Sequence, residues 1–223
     1  MTDLIIEQTE DGSDTLYLPI LNEHYHSTKG AVTESEHIFI NSALLHRGKQ
    51  EINLLEIGFG TGLNAIRTVE AAELSNLNVH YTTLELYPLS IEQISKLNFI
   101  KEEHYRTIHE AEWGKEIEIT KNFKLLKLNI DYTTLPEQRF NHTFDVIYFD
   151  AFAPDKQPEM WTQQLFDYLY VLLSKDGILT TYSAKGAVRR MLQDAGFTVE
   201  RIPGPPGGKR EIIRAIKKQN DEI

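Results

Sequence analysis

From Ile52 onward the chain alternates short apolar runs with longer amphipathic stretches, and this rhythm restricts the fold more than any other feature. Ile52 to Ile57, Val79 to Leu86, Phe123 to Ile130, Phe144 to Phe149, Gly177 to Tyr182, Phe197 to Ile202 and Glu211 to Ile216 read as strands. Leu63 to Leu74, a stretch opening at Pro88, Pro158 to about Ser174, and Ala184 to Ala195 closed by Gly196 read as helices. Proline suits a first helical turn because its missing N–H has no intrahelical partner there. Repeating strand–helix units predict a parallel sheet with helices on both faces. Only Pro203-Gly204-Pro205-Pro206-Gly207-Gly208 separates the last two strands, so these are expected to pair antiparallel. The expected fold is α/β: a seven-stranded, mostly parallel sheet with one antiparallel terminal strand.

The first fifty residues break the rhythm. Leu4-Ile5-Ile6 and Leu16-Tyr17-Leu18 flank the turn-forming Asp11-Gly12-Ser13-Asp14, which predicts a hairpin. A polar, aromatic stretch (Glu23 to Ser27) follows, then a helix from about Glu34 to Leu45 with Ile38 and Leu45 on its apolar face. Residues 1–50 are expected to form an extension packed on a core of residues 51–223. A chain of 223 residues suits this size, since domains run roughly 100–200 residues. No apolar run approaches the roughly 18 residues of a membrane span, and the start is acidic, unlike a secretory signal. The expected address is the cytoplasm, with no membrane and no obligate protein partner.

Composition removes whole classes of chemistry. There is no cysteine, hence no disulfide, thiolate zinc site, iron–sulfur cluster or Cys nucleophile. The net charge of −10 argues against broad nucleic-acid binding, which rests on neutralising phosphates. The charge is uneven, however: from Ser183 to Ile223 nine Lys/Arg stand against five Asp/Glu. A small, oriented anion-binding face is compatible with that asymmetry.

The strongest chemical feature is Glu56-Ile57-Gly58-Phe59-Gly60-Thr61-Gly62-Leu63-Asn64, which leaves a strand and opens a helix. Glycines there let the backbone approach a ligand, with free N–H groups pointing at it. The loop lacks the Gly-Lys-Ser/Thr of a phosphate-binding loop. It also departs from a dinucleotide fingerprint, which would need glycine at Leu63 or Ala65. Glu85, Asp131 and Asp150 sit where the next three strands end, joining Glu56 at one sheet edge. Glu85 stands where an acid accepts two ribose hydroxyls. Several acceptors without a phosphate clamp fit S-adenosylmethionine, which carries an amino group, a ribose and an adenine but no phosphate.

Carbon-5 methylation of a pyrimidine by the usual route needs a Cys, and radical methylation needs a cluster. A nitrogen or oxygen acceptor is what remains, attacking the methyl carbon while the protein orients the partners. After the fourth strand come Asp150-Ala151-Phe152-Ala153-Pro154, and then Pro158-Glu159-Met160-Trp161. Asp150 can accept a hydrogen bond from an amine and ease loss of its proton. Phe152 and Trp161 can stack on a planar base; a plain core role for Trp161 is the competing reading, and Met160 is assigned to the core. Lys185, Arg189, Arg190, Lys209 and Arg210 are the candidate cations of the anion-binding face.

These features resemble the class I, Rossmann-like S-adenosylmethionine methyltransferases. The resemblance sharpens to the methyltransferase domain of the MnmC family and its standalone MnmD form. It is carried by the run Asp150 to Trp161, by Lys185-Gly-Ala-Val-Arg-Arg190, Leu192-Gln-Asp-Ala-Gly-Phe197, Lys209-Arg-Glu211, the glycine loop, Glu85-Leu-Tyr-Pro-Leu89 and Tyr25-His-Ser-Thr-Lys-Gly-Ala31. By resemblance, Gly58, Gly60 and Gly62, with Thr61 and Asn64, cradle the methionine part of the cofactor. Glu56 lies near its amino group, Glu85 takes the ribose and Asp131 the adenine. Asp150, Phe152 and Pro154 form the transfer site, and Tyr25 joins the substrate side. The implied reaction methylates the aminomethyl nitrogen of 5-aminomethyl-(2-thio)uridine at wobble position 34 of tRNA. Fused members add a flavin-dependent oxidase; without a second glycine fingerprint, neither flavin nor metal is expected here. The rival enzyme is an aminopropyltransferase of the spermidine synthase type, the rival of another class a catalytically silent tRNA-binding module, and a dinucleotide oxidoreductase ranks third.

Overall fold

The computed structural model describes residues 4–101, 103–137 and 140–218. Strands β1 (Ile5–Gln8), β2 (Asp14–Leu18) and β3 (Glu23–His24) form a small antiparallel sheet. Its hairpin sets Ile5 against Tyr17 and Gln8 against Asp14, as the Asp-Gly turn predicts. Helix α1 (Ala31–Ser35) runs on into π-helical turns over Glu36–Leu44. Residues seven apart share a face at 3.6 residues per turn but not when the bonds run i to i+5. Ile38 is accordingly buried while Leu45, expected beside it, is 41% exposed.

The main body follows as β4 (Glu51–Ile57), α2 (Leu63–Ser75), β5 (Asn78–Leu84), α3 (Ile91–Ile94), α4 (Tyr105–Glu110), β6 (Glu116–Thr120), β7 (Phe123–Leu128), β8 (Phe144–Phe149), α5 (Gln163–Leu172), β9 (Leu173–Thr181), α6 (Gly186–Asp194), β10 (Thr198–Pro203) and β11 (Glu211–Ile216). The strands form one sheet in the order β10-β11-β9-β8-β4-β5-β7-β6. Strands β4, β5, β7, β8 and β9 run parallel, and β11 lies antiparallel between β9 and β10. This is the expected mostly parallel sheet with a reversed terminal strand, enlarged by an eighth. That extra strand, β6, pairs antiparallel on the edge with β7. Its Glu-Ile-Glu-Ile-Thr alternation is the period-2 signal of a half-exposed strand.

Two prolines punctuate differently from expectation. Pro88 lies ahead of α3, which Ser90 caps in a reciprocal bond with Gln93. Pro158 opens a separate 3₁₀ turn, and α5 starts afresh behind the Thr162 cap. Helix α5 then stops at Leu172, and Ser174 already belongs to β9.

Strand β8 is buried along its whole length, as a central parallel strand must be. Val146 and Tyr148 enter one apolar cluster, Ile147 and Phe149 the other. Leu16, Ile38 and Phe39 of the N-terminal region share the first cluster with Leu54 and Ile66, so extension and sheet close over a common interior. The chain order reverses between β4 and β8, and the crevice beyond their carboxyl ends is where such sheets take ligands.

Candidate active site

A cleft of about 1580 Å³ opens at that reversal. Single small-molecule sites measure roughly 300–1,000 Å³, so this one has room for two ligands side by side. Its floor comes from Gly58, Gly60, Glu85, Asp131, Asp150 and Phe152, one wall from Tyr25, His26 and Glu34, and another from Lys185, Lys209 and Arg210.

The glycine loop is fitted to the end of β8. The Asp150 N–H donates to the Ile57 carbonyl (3.0 Å), and the Gly58 N–H to that of Leu84 (3.1 Å). Gly58 has φ +92°, and a Cβ there would stand 2.5 Å from the Asp150 carbonyl oxygen, so no other residue fits. The Gly60 N–H donates to one oxygen of Glu85 (3.0 Å) and the Tyr87 N–H to the other (2.8 Å), which fixes that carboxylate at the cleft edge. Asp131 lies beyond the end of β7 and accepts from the Thr133 N–H (2.8 Å) and hydroxyl (2.7 Å).

Asp150 is held from below. Its Oδ2 accepts from the Asn64 amide (2.8 Å), whose Oδ1 accepts from the Ser35 hydroxyl (2.6 Å). Burial pushes the Asp150 carboxyl up to about 7, helped by the negative charge of Glu34 and opposed by Asn64 and Lys209. The group therefore exchanges a proton near neutral pH.

Several expected contacts face elsewhere. Thr61, Gly62 and Asn64 turn away from the cleft. The Thr61 carbonyl accepts from the Tyr105 hydroxyl (2.7 Å) and His109 Nε2 (2.9 Å), and its Oγ1 lies 2.6 Å from His26 Nε2. A Cβ on Gly62 would meet His109 Nε2 at 2.7 Å. Burial lowers both histidines to about 4, so they are neutral at pH 7. Beneath them Lys127 donates to the His109 carbonyl (2.7 Å) and lies 4.7 Å from the Trp113 ring centre. Burial lowers this lysine to about 8.

Glu56 is fully buried under the loop instead of lining the cleft. Its Oε2 accepts from the Thr83 hydroxyl (2.7 Å), Oε1 has no partner, and burial pushes the carboxyl up to about 8. Trp161 is also turned inward, at 5% exposure, so it offers no face to a base. Its indole N–H donates to the Phe152 carbonyl (2.8 Å) and its ring packs edge-on against Phe149, so the apolar ring is buried with its one donor satisfied. Met160 packs half-buried against the second apolar cluster, as its core assignment expects, and also lines the cleft. Phe152 does face it, edge-to-face with Tyr25 at 5.1 Å, whereas Pro154 shapes the turn without lining it.

Of the five cations, Lys185, Lys209 and Arg210 line the cleft, while Arg189 and Arg190 sit on α6 away from its wall. Lys185 pairs with Asp155, and Lys209 with Glu34. Glu34, His26, Tyr105, His109 and Lys127 carried no signal of their own in sequence, since their partners lie tens of residues away. His26 belonged to a stretch already singled out, Glu34 opened an expected helix and Lys127 lay in an expected strand, none of them as a site residue. Among the described residues no group of three or more His, Asp or Glu is placed to hold a metal, and no helix is long and apolar enough to cross a membrane.

The relatives speak to the same site. The family described as S-adenosyl-L-methionine-dependent methyltransferase matches residues 87–218. The tRNA 5-methylaminomethyl-2-thiouridine biosynthesis bifunctional protein MnmC of Azoarcus sp. strain BH72 is 30% identical over 227 residues, covering 92% of this chain and 34% of that protein. Its namesake from Pseudoalteromonas atlantica is 31% identical over 216 residues, covering 86% and 30%. The chain thus spans about a third of the length of these curated relatives. The crystal structure of MNMC2 from Aquifex aeolicus superimposes with a TM-score of 0.83 at 26% identity, covering 99% of this chain and 72% of that one. The match takes in more than half of the chain, Asp150 included, and the chain belongs to the S-adenosyl-L-methionine-dependent methyltransferases.

Proposed function

We propose that the chain transfers a methyl group from S-adenosylmethionine to the aminomethyl nitrogen of 5-aminomethyl-(2-thio)uridine at position 34 of tRNA, giving 5-methylaminomethyl-(2-thio)uridine. The observation that carries this reading is Asp150. It is a proton acceptor near neutrality that lines the cleft, oriented by Asn64, between the glycine loop and the Phe152 ring.

The cleft fits the cofactor. Gly58 and Gly60 bare their backbone to it, Glu85 presents a carboxylate already oriented by two N–H groups, and no lysine in the loop invites phosphate. In this reading Gly58 and Gly60 hold the methionine part, Glu85 the ribose and Asp131 the adenine amino group. Glu56 lies beneath the loop, where burial keeps its carboxyl largely protonated at pH 7 and able to donate or accept a hydrogen bond. When bound, the cofactor supplies an electrophilic methyl carbon on a cationic sulfur.

The remaining work falls to the protein. Asp150 accepts a hydrogen bond from the acceptor amine and turns its lone pair toward the methyl carbon. Asp150 would take the proton that the acceptor nitrogen sheds on gaining the methyl group in place of it, and would pass that proton to solvent. Phe152, braced by Tyr25, stacks on the flipped pyrimidine. Lys185 and Arg210 take anticodon-loop phosphates, a small positive rim on an acidic body, so affinity falls as salt rises. Residues 1–50 serve as the extension walling the acceptor side and 51–223 as the cofactor-binding core. The MnmC relatives are named for the biosynthesis of 5-methylaminomethyl-2-thiouridine in tRNA, which supports the reading.

Nucleoside mass spectrometry tests it. tRNA carrying the aminomethyl precursor, incubated with protein and cofactor, should gain the methylaminomethyl nucleoside. A methylated product elsewhere in the tRNA, with the precursor untouched, overturns the reading.

A further inference from the structure

Glu34 and Lys209 meet across 175 residues of chain in the cleft that Asp150 also lines. Glu34, on α1, is 9% exposed; one oxygen accepts from the Ser27 N–H (2.9 Å) and the other from Lys209 Nζ (2.5 Å). Lys209 arrives on the β10–β11 loop, whose tight closure requires glycine. A Cβ on Gly204 would fall 1.8 Å from the Lys209 carbonyl oxygen. The ammonium also stands 4.7 Å from the Tyr182 ring centre, and the Tyr182 hydroxyl donates to the carbonyl of Ala151, next to Asp150 (2.8 Å). His37 bonds the Pro203 carbonyl at 2.8 Å, joining the same two segments a second time.

Setting a second carboxylate beside Asp150 is electrostatically unfavourable, and the core offers apolar alternatives for merely joining two segments. The arrangement makes sense as chemistry. Resting on the amine-methyltransferase reading above, we propose that Glu34 and Lys209 are positioning residues acting through Asp150 in opposite directions: Glu34 favours holding the acceptor's proton there, and Lys209 favours giving it up. The other groups facing Asp150 are Glu56 from β4, Tyr81 from β5 and Tyr182 beyond β9, with the neutral Asn64 from α2. None is ion-paired across the cleft as Glu34 is.

The test is the carboxyl ¹³C titration of Asp150 in the free protein, alongside the pH profile of kcat/KM for tRNA. Glu34→Gln should lower the Asp150 midpoint by about one unit and Lys209→Met should raise it by about as much, with the double variant returning near wild type. The ascending limb of kcat/KM should move with the midpoint. Glu34→Asp, which keeps the charge, should restore the wild-type titration; a purely structural role would leave titration unmoved while stability changed. Midpoints that stay put, or move in the same direction in both variants, overturn the proposal. The titration needs neither cofactor nor acceptor, so opposite shifts uphold it even if the tRNA product fails to appear, which would overturn only the substrate assignment.

Discussion

Strand β8 carries one aspartate near its start and another directly after its end, and the two behave in opposite ways. Asp145 accepts from Lys49 Nζ (2.5 Å), the Ser174 hydroxyl (2.9 Å) and the Asn53 N–H (3.2 Å), with Arg47 3.6 Å away. Burial alone would raise its carboxyl, but the bonds from Lys49, Asn53 and Ser174 and the lysine's charge hold it below the usual value. Asp150 accepts from Asn64 alone among side chains, has Glu34 as a neighbour, and is pushed up to about 7. The same residue type is stabilised as a carboxylate at the closed end of the sheet and strained as one at the ligand end. On the proposed reading, stability and proton chemistry fall at opposite ends of a single strand.

Breaking either end separates the two roles. Asp150→Ala should lower kcat about a thousandfold while leaving cofactor affinity within roughly tenfold and stability intact, because the general base is lost but the loop and Glu85 remain. Single-turnover rates and calorimetry measure both; an unchanged kcat would remove Asp150 from the chemistry. Gly58→Ala couples the loop to the same carboxylate, since its Cβ cannot stand 2.5 Å from the Asp150 carbonyl. Cofactor affinity and kcat should fall together, each roughly tenfold to a hundredfold for a displaced reactive group. An intact cofactor affinity would show that the loop does not hold it.

Asp145→Ala should do the reverse, costing about 1–3 kcal/mol by leaving Lys49 and Arg47 without their shared acceptor. Thermal unfolding should fall by several degrees, about 2–4 °C per kcal/mol, with kcat unchanged at moderate temperature.

The smallest effect is in the pH dependence of stability. Asp145, held low, contributes stability present above the unfolded carboxylate pKa and lost as pH falls through its folded value. Asp150 and Glu56, held high, contribute stability present below about pH 4 and lost as pH rises through about 7 and about 8. Asp150→Asn should flatten part of the decline between pH 4 and 7, and the corresponding rise in kcat/KM through pH 7 should vanish. A melting curve that keeps its full alkaline decline would place the strain elsewhere.

Much of this was written locally. Strand β8 and strand β11 lie where the sequence places them, the Asp-Gly turn sets the first hairpin, and three glycines in five residues mark the tight loop between β4 and α2. Such signals act over a few residues, through side-chain period, turn dihedrals and caps, so a single stretch of sequence carries them whole. The absence of cysteine likewise excluded thiol chemistry without any fold at all. Tertiary structure alone decided which side chains of those stretches face the cleft. It turned Thr61 toward Tyr105 and His109, spent Asn64 on Asp150, and drew Trp161 inward onto the Phe152 carbonyl. It alone set Glu34 and Lys209 beside Asp150, and Lys49 and Ser174 around Asp145. The affinity of a carboxylate for its proton depends on charges and donors within a few ångströms in space, whatever their separation along the chain, and sequence proximity does not carry that information.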